Sequence, residues 1–335
     1  MLQALPGGTA ARYLRLVRAL ATRDAFQARF FYDRSAVRRA AVVARGSFDA
    51  VVCGQLYMYP YVPADLRPIT LLDAHNAELD RVESIARAAG LTARGLAARL
   101  QRGPVRAYEA HAATEVARVT AVSRSDAQYF EALAPGRVDL VPNGVDCAAI
   151  EFRPQPGGRR ILFLGSLDYS ANVDAFAYLV REVLPRVTQD VELDVVGSSP
   201  RRSLQRLARN APVRVSIAGH VPDTEPWFTR ARMLVVPLRY GGGTRLKILE
   251  ALARGTPVVS TSIGCAGLEL AGGDDLLVAD GPDELARAIR RLLEDDELCT
   301  RLAEHGRATV ERRYDWSTIG GAFEEAVAKA AGAGG

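Results

Sequence analysis

The chain has 335 residues, a hydrophobic content of 48% and a formal net charge of +4 at pH 7. This length and apolar content can supply two domains with cores of their own, and so small a positive charge does not predict binding to nucleic acid. Four widely spaced cysteines without a C-x-x-C pair argue against a zinc site and against a disulfide framework: Cys53, Cys147, Cys265 and Cys299.

The apolar runs of the chain are too short for a membrane span, which needs about 20 residues. The first twenty residues lack the apolar region of a signal peptide. We therefore expect a cytoplasmic protein, with the inner face of the cytoplasmic membrane as a second location.

The first part of the chain predicts a short α/β domain over residues 1–148. The chain begins in a helical stretch at Ala10–Ala21, without an opening strand and glycine-rich turn, and a second helical region runs from about Glu78 to Ala117. The composition becomes turn-rich near Val145–Gly158, which indicates a domain boundary. Four strands are predicted: Ala50–Cys53, Thr70–Asp73, Val119–Val122 and Val138–Val141.

Residues 149–312 predict a doubly wound domain, and residues 313–335 a C-terminal helix that returns to the first domain. Strands and helices alternate here, which is typical of a parallel sheet covered on both faces. Ligands of such sheets bind outside the carboxyl ends of the strands. Six strands are predicted: Ile161–Leu164, Leu193–Val196, Val213–Ile217, Met233–Leu238, Pro257–Ser260 and Leu276–Ala279.

A glycine-rich loop and a basic helix start follow the predicted strand Met233–Leu238. Gly241, Gly242 and Gly243 lack a Cβ, so backbone N–H groups can approach phosphate oxygens at the start of the helix. Arg245 and Lys247 in the first turn oppose the helix dipole at a cost of about 0.3–1 kcal/mol each, unless an anion is bound. The pattern favours a bound anion over an ordinary turn.

The same helix predicts a carboxylate on its core-facing stripe. Leu246, Leu249, Glu250 and Ala253 fall on one helical face. A buried carboxylate needs a partner, so Glu250 is predicted to bind ligand hydroxyls or to pair with Lys247 three residues earlier.

The segment GGGTRLKILEALARGTPVVST, residues 241–261, resembles the donor-binding segment of retaining glycosyltransferases of family 4, a large GT-B group that uses nucleotide-sugars. The segments GSLDYSANVDAFAYLVREVLP and GGGTRLKILEA are most similar to a bacterial subgroup of exopolysaccharide and exosortase-associated sugar transferases. Five other segments occur in the order of that family: Val122–Phe130, Val141–Asp146, Ile161–Ala175, Val195–Pro200 and Ala218–Asp223.

The resemblance implies a GT-B fold, with two doubly wound Rossmann-like domains facing across a cleft and the first one shortened. It implies transfer of a hexosyl unit from a nucleotide-diphosphate sugar to a glycan or lipid-linked acceptor, with retention of configuration, in bacterial surface polysaccharide synthesis. The departing phosphate would take the proton of the attacking hydroxyl. No metal and no other cofactor is expected, because the carboxylates do not cluster in a D-x-D pattern.

Site residues follow from the resemblance. His75, Arg245 and Lys247 are the implied catalytic residues: the first orients the sugar, and the two cations stabilise negative charge on the leaving diphosphate. Glu250 would hold the ribose hydroxyls, and His220 with Val221 would lie near the nucleobase. The remaining implied donor contacts are Gly165, Ser166, Gly197, Gly242, Gly243, Thr244 and Leu246, with weaker candidates at Gly264, Gly267 and Glu269.

The sequence departs from the family pattern at three places. The first of two glutamates that the family carries is replaced by Gly242, and the usual basic residues after Gly165 correspond to Leu167 and Asn172. We expect Arg245 and Lys247 to replace that lost charge. The opening strand and glycine loop of the family's acceptor side are missing, so the chain is either a short form or completes the acceptor site differently.

Two further interpretations stay open. A helix face that carries Arg87, Arg94, Arg99, Arg102 and Arg106 with several leucines is either a solvated surface or a peripheral contact with an anionic membrane. The alternative function is a nucleotide-sugar-binding protein without efficient turnover, because the acceptor half is incomplete. A nicotinamide-dependent dehydrogenase is disfavoured, since no G-x-G-x-x-G follows an opening strand.

Overall fold

The computed structural model describes residues 24–43, 46–154, 158–187, 190–198 and 202–333. Contacts within the chain divide it into unit 1, Met1–Pro142 with Gly320–Gly335, and unit 2, Asn143–Ile319. The boundaries predicted after residues 148 and 312 differ from these divisions, which fall after Pro142 and Ile319. The helix predicted at Ala10–Ala21, and with it the expected lack of an opening strand, falls outside the described residues.

Unit 1 contains a parallel sheet of four described strands in the order β1-β2-β3-β4. All four correspond to predicted strands. Their bounds are β1 Val51–Gly54, β2 Thr70–Ala74, β3 Arg118–Ala121 and β4 Val138–Leu140.

Helices and 3₁₀ turns connect and flank the strands of unit 1 along the chain. The predicted helical region from Glu78 to Ala117 is two helices rather than one, because Thr92 caps the second by accepting a 3.2 Å hydrogen bond from the backbone N–H of Gly95. The described helices are α1 Phe26–Phe31, α2 Arg34–Val43, α3 Glu78–Ala89, α4 Ala93–Glu115 and α5 Arg124–Glu131, and 3₁₀ turns occupy Leu56–Tyr61 and Ala64–Ile69.

Unit 2 contains a parallel sheet of six described strands in the order β7-β6-β5-β8-β9-β10. The order reverses between β5 and β8, so the loops after these two strands flank the topological switch point at which doubly wound sheets bind ligands. The strands are β5 Arg160–Leu164, β6 Glu192–Val196, β7 Arg214–Gly219, β8 Met233–Val236, β9 Val258–Ser260 and β10 Leu277–Val278.

Helices cover the sheet of unit 2. Every residue of β8 is buried, as expected for a central strand covered on both faces. Each fully buried Leu or Ile side chain contributes about 1.5–3 kcal/mol, and Ile161, Leu162 and Leu234 are such residues. The helices are α6 Ser170–Tyr178, α7 Arg202–Arg209, α8 Glu225–Arg230, α9 Leu246–Arg254, α10 Pro282–Glu294 and α11 Asp296–Tyr314; Leu179–Val183 forms a π turn and Leu184–Arg186 a 3₁₀ turn.

The last helix, α12 at Trp316–Gly332, contributes its later part to unit 1. Ala326 and Ala330 are fully buried in a cluster with Leu71 of β2, and Lys329 lies 3.0 Å from the carboxylate of Asp139. No helix in the described part of the chain is long and apolar enough to cross a membrane.

Candidate functional site

Lys247 connects helix α9 with the carboxyl end of β5. Its ammonium group donates a hydrogen bond to the carbonyl oxygen of Leu164, the last residue of that strand. Burial lowers the pKa of Lys247 to about 8, and the nearby guanidinium of Arg245 adds to this effect. The helix therefore holds a partly buried cation at the switch point, next to Gly165.

The glycine-rich loop after β8 is shaped by its own arginine. The guanidinium of Arg245, at the N-cap position of α9, donates to the carbonyl oxygens of Gly242 and Gly243. Gly241 and Gly243 have φ angles of 126° and 83°, which a residue with a Cβ rarely adopts. Glycine at these two positions allows the backbone conformations that a backbone anion site needs. Arg245 fixes the direction of the carbonyl groups of Gly242 and Gly243.

Thr244 carries a polar atom without a partner in this loop. Its hydroxyl oxygen Oγ1 is buried, and no described residue forms a hydrogen bond with it. Because an unsatisfied buried hydroxyl costs free energy, it marks a position where a ligand group would be stabilised.

The turn after β5 and the turn after β6 pack directly on each other. A Cβ on Gly197 would lie 2.0 Å from the carbonyl oxygen of Gly165, so this contact requires glycine. The hydroxyl oxygens of Ser166 and Ser198 lie 2.6 Å apart, and the Ser166 hydroxyl donates to the carboxylate of Asp168. The structure thus brings the predicted residues Gly165, Ser166 and Gly197 together.

Glu250 is fixed through one carboxylate oxygen. Its Oε1 accepts hydrogen bonds from the hydroxyl of Thr224 at 2.7 Å and from Arg254 at 3.2 Å. No described residue donates to its Oε2. The alternative pairing of Glu250 with Lys247 is not formed, because Lys247 reaches the end of β5 and Arg254, four residues after Glu250, pairs with the carboxylate instead.

The predicted core-facing stripe of α9 needs a correction. Leu246 is 47% exposed, whereas Leu249 and Ala253 are fully buried and Glu250 is half-buried. The helix begins at Leu246, so this residue lies in the first turn beside the glycine loop. Burial instead extends to both sides of the later helix, over Ile248, Ala251 and Leu252.

His220 and Val221 follow β7 in the loop that leads to Thr224. His220 is exposed, whereas Val221 is half-buried and packs against the core of unit 2. The bond between Thr224 and Glu250 ties the end of this loop to α9. Glu269, a weaker candidate, pairs with Arg313 at 3.1 Å.

His75 follows β2 in unit 1, and both of its ring nitrogens have partners. Nε2 lies 3.1 Å from the carboxylate of Asp73, and Nδ1 lies 3.4 Å from the amide nitrogen of Gln55. The hydrogen bond to Asp73 raises the pKa of His75. Burial raises the pKa of Asp73, but hydrogen bonds from His75 and Thr120 outweigh burial and leave it below its usual value.

Several residues of this geometry are not apparent from sequence alone. Thr224, which donates to Glu250, precedes helix α8 and is 26 residues away in sequence, so only the fold brings it to Glu250. Arg239 forms a bidentate ion pair with Asp174 on α6, just before the glycine loop. The sequence signal that could have identified Arg239 is its position directly after the predicted strand Met233–Leu238. No cluster of three or more metal-binding side chains occurs among the described residues.

Residues 158–295 match the family model described as Glycosyl transferases group 1. The matched segment lies within unit 2 and contains the whole switch point. It includes every predicted site residue except His75.

Curated relatives agree with this match. The chain is 29% identical over 214 residues to a glycogen synthase of Mycobacterium tuberculosis, covering 60% of this chain and 51% of the relative. It is 30% identical over 214 residues to a phosphatidyl-myo-inositol mannosyltransferase of Mycolicibacterium smegmatis, covering 61% and 55%. The chain spans about half the length of these curated relatives.

A solved structure shows the fold. HepE of Anabaena, crystallised with UDP and glucose, matches with a TM-score of 0.69 at 15% identity, covering 87% of this chain and 80% of HepE. The predicted fold class is confirmed: both units are α/β with parallel sheets, as in GT-B glycosyltransferases.

Proposed function

We propose that this chain is a retaining glycosyltransferase that moves a hexosyl unit from a nucleotide-diphosphate sugar to a glycan or lipid-linked acceptor. Its proposed role is bacterial surface polysaccharide synthesis at the inner face of the cytoplasmic membrane. The relatives named as glycogen synthase and mannosyltransferase support a sugar transferase, and the complex of HepE with UDP and glucose supports a nucleotide-sugar donor.

The observation that carries the proposal is the position of Lys247. The ammonium group of Lys247 lies at the switch point of the unit 2 sheet, and its helix follows the glycine-rich loop. Burial disfavours the charged form of this group. A diphosphate bound there would offset the desolvation of Lys247 and accept hydrogen bonds from loop N–H groups. The buried Thr244 hydroxyl is a further donor for such a ligand.

The proposed chemistry is electrostatic. As the bond between sugar and phosphate breaks, negative charge grows on the diphosphate, and preorganised cations and N–H groups stabilise that charge more than they stabilise the ground state. Arg245 and Lys247 carry this role, and we propose that no metal ion is needed. His75 is the proposed catalytic residue of unit 1.

Glu250 is the proposed ribose contact. Because Thr224 and Arg254 hold its Oε1, the carboxylate is oriented before the ligand arrives, and its Oε2 can accept hydrogen bonds from two neighbouring hydroxyls. His220 and Val221 are proposed to lie near the base.

A peripheral contact with membrane is proposed for helix α4. Leu96 and Leu100 lie one turn apart and are 47% and 66% exposed, and Arg99 lies between them. Arg87 and Arg102 of the same predicted face pair with Glu83, which favours a solvated surface at those two positions. Sedimentation with anionic phospholipid vesicles tests this: Leu96→Ser with Leu100→Ser should reduce binding if α4 contacts lipid.

The function is tested by incubating the purified chain with radiolabelled nucleotide-sugars, with and without bacterial lipid extract. The expected result is label in a glycan or lipid product, with the anomeric configuration of the donor retained and no loss of activity in EDTA. Binding of the donor without either transfer or hydrolysis would contradict the proposal and support a binding protein.

A further inference from the structure

Gln55 has an unusual backbone conformation at the carboxyl end of β1. It is the only non-glycine residue in the described part of the chain with a positive φ, 84°. L-residues with a side chain pay a conformational cost there, and glycine would not. Such residues persist where the surrounding structure fixes them and are found preferentially at functional sites.

Backbone hydrogen bonds on both sides hold this conformation. The N–H of Gln55 donates to the carbonyl of Asp73 at 3.0 Å, which continues the pairing of β1 with β2. Its carbonyl accepts from Met58 at 3.0 Å, at the start of the following 3₁₀ turn. A glycine would satisfy both bonds, so they do not explain why a glutamine is present.

The side chain of Gln55 supplies the explanation. Its amide nitrogen lies 3.4 Å from Nδ1 of His75, while Nε2 on the other side of the ring lies 3.1 Å from Asp73. A carboxylate accepts only, so Nε2 carries the proton in the neutral ring. Nδ1 then has a lone pair that accepts from the Gln55 amide.

We propose that Gln55 is a positioning residue, whose strained backbone directs its amide at His75 so that Gln55 and Asp73 together fix one tautomer and one orientation of the ring. This inference rests on the proposed function, in which His75 acts in catalysis. Among the described residues, Asp73 is the titratable group that raises the pKa of His75, through its hydrogen bond and its charge. Gln55 contributes an uncharged hydrogen-bond donor.

Histidine NMR tests the proposal without requiring activity. The chain has four histidines, so ¹⁵N-histidine labelling gives four ring systems, and His75→Gln assigns the relevant one. We expect His75 in the wild type to be protonated at Nε2 when neutral. Gln55→Met keeps the side-chain size but removes the donor to the neutral ring, so the pKa of His75 should rise by roughly half a unit.

Two controls separate positioning from a general structural role. The substitution Gln205→Met on α7 should leave the pKa values of all four histidines unchanged. The substitution Gln55→Met should leave the pKa values of the three histidines other than His75 unchanged. Gln55→Gly should relieve backbone strain, so its midpoint of thermal unfolding should equal or exceed that of the wild type while the pKa of His75 rises as in Gln55→Met. An unchanged or lowered His75 pKa in both Gln55 variants, or a large loss of stability in Gln55→Gly, would overturn the proposal.

Enzyme kinetics distinguish this inference from the proposed function. If both hold, Gln55→Met lowers kcat several-fold with little change in KM for the donor. If transfer is absent from every form of the protein while the His75 pKa still shifts, the positioning role stands and the proposed function fails. Normal kcat in Gln55→Met together with an unchanged His75 pKa would contradict the positioning role alone, whereas normal kcat with a shifted pKa would contradict the catalytic role of His75.

Discussion

Glu250 is held through its Oε1 by Thr224 and Arg254, and no described residue donates to its Oε2. Replacing it with Gln keeps an acceptor for Thr224 but removes the charge that a ribose would use. A hydrogen bond made by a charged group contributes about 1.5–3 kcal/mol, so affinity for a nucleoside diphosphate should fall roughly 10- to 150-fold. Calorimetric titration measures this.

The matched control for Glu250 is Glu225→Gln. Glu225 also lies near Arg254, at 3.9 Å, but on helix α8. This variant should bind nucleotide as the wild type does. Equal affinities for the wild type and a folded Glu250→Gln variant would remove Glu250 from the site.

Lys247 predicts a distinct dependence of stability on pH. Its pKa is about 8 in the folded chain against 10.5 for the free side chain, so between these values the unfolded chain binds a proton that the folded chain does not. The contribution of Lys247 to the free energy of unfolding therefore rises with pH across this window. The free energy of unfolding, measured with urea, should increase more from pH 7.5 to pH 10 in the wild type than in Lys247→Met. Parallel changes in the two proteins would mean that Lys247 has an ordinary pKa.

At the scale of elements, the turns after β5 and β6 depend on a glycine. A Cβ at Gly197 would lie 2.0 Å from a backbone oxygen, which cannot move away as a flexible side chain can. Gly197→Ala should lower the free energy of unfolding by about 1–3 kcal/mol and should weaken nucleotide binding by displacing the Gly165 turn.

Gly103→Ala on helix α4 is the control for this substitution. A Cβ at Gly103 meets no atom within 4 Å, and the helix should gain up to about 1 kcal/mol from the change. Urea unfolding of the two variants compares them directly. Equal effects of the two substitutions would contradict the account of the Gly197 turn.

Much of the element pattern could be predicted from the sequence. All ten predicted strands have counterparts, because runs such as Met233–Leu238 are apolar on both faces, as buried parallel strands must be. The burial of helix α9 could not be predicted from a single apolar stripe, since side chains on both sides of that stripe are also buried. Leu246 belongs to the predicted stripe but is exposed, because the helix begins at this residue. The helical region predicted from about Glu78 to Ala117 is helical in the structure, and the break within it lies where Thr92 provides a cap.

The candidate site was predictable only in part. Glycines and basic residues after strands indicate a phosphate site locally, so the loop at Gly241–Gly243 and Lys247 could be found. Thr224 as a partner of Glu250 and Gln55 as a partner of His75 could not, because they are 26 and 20 residues away in sequence. Such long-range contacts arise from strand order, which spacing alone does not fix.

At the scale of the whole molecule, each unit carries its own part of the proposed function. Unit 2 contains the complete switch point with the proposed diphosphate and ribose contacts, and unit 1 contains His75 with Asp73 and Gln55. Substitutions at the proposed diphosphate and ribose contacts of unit 2 should therefore change binding of the nucleotide. Substitutions around His75 should change kcat while the affinity for a nucleoside diphosphate stays the same.

The central claim is that the switch point of unit 2 binds a nucleotide through its diphosphate. Calorimetric titration of the full chain with a panel of nucleoside diphosphates and the matching nucleosides tests it most directly. We predict that at least one diphosphate binds at least tenfold more tightly than its nucleoside, and that Arg245→Gln with Lys247→Met abolishes this difference while the chain stays folded. No binding of any diphosphate, or a difference that the double variant keeps in full, would contradict the account.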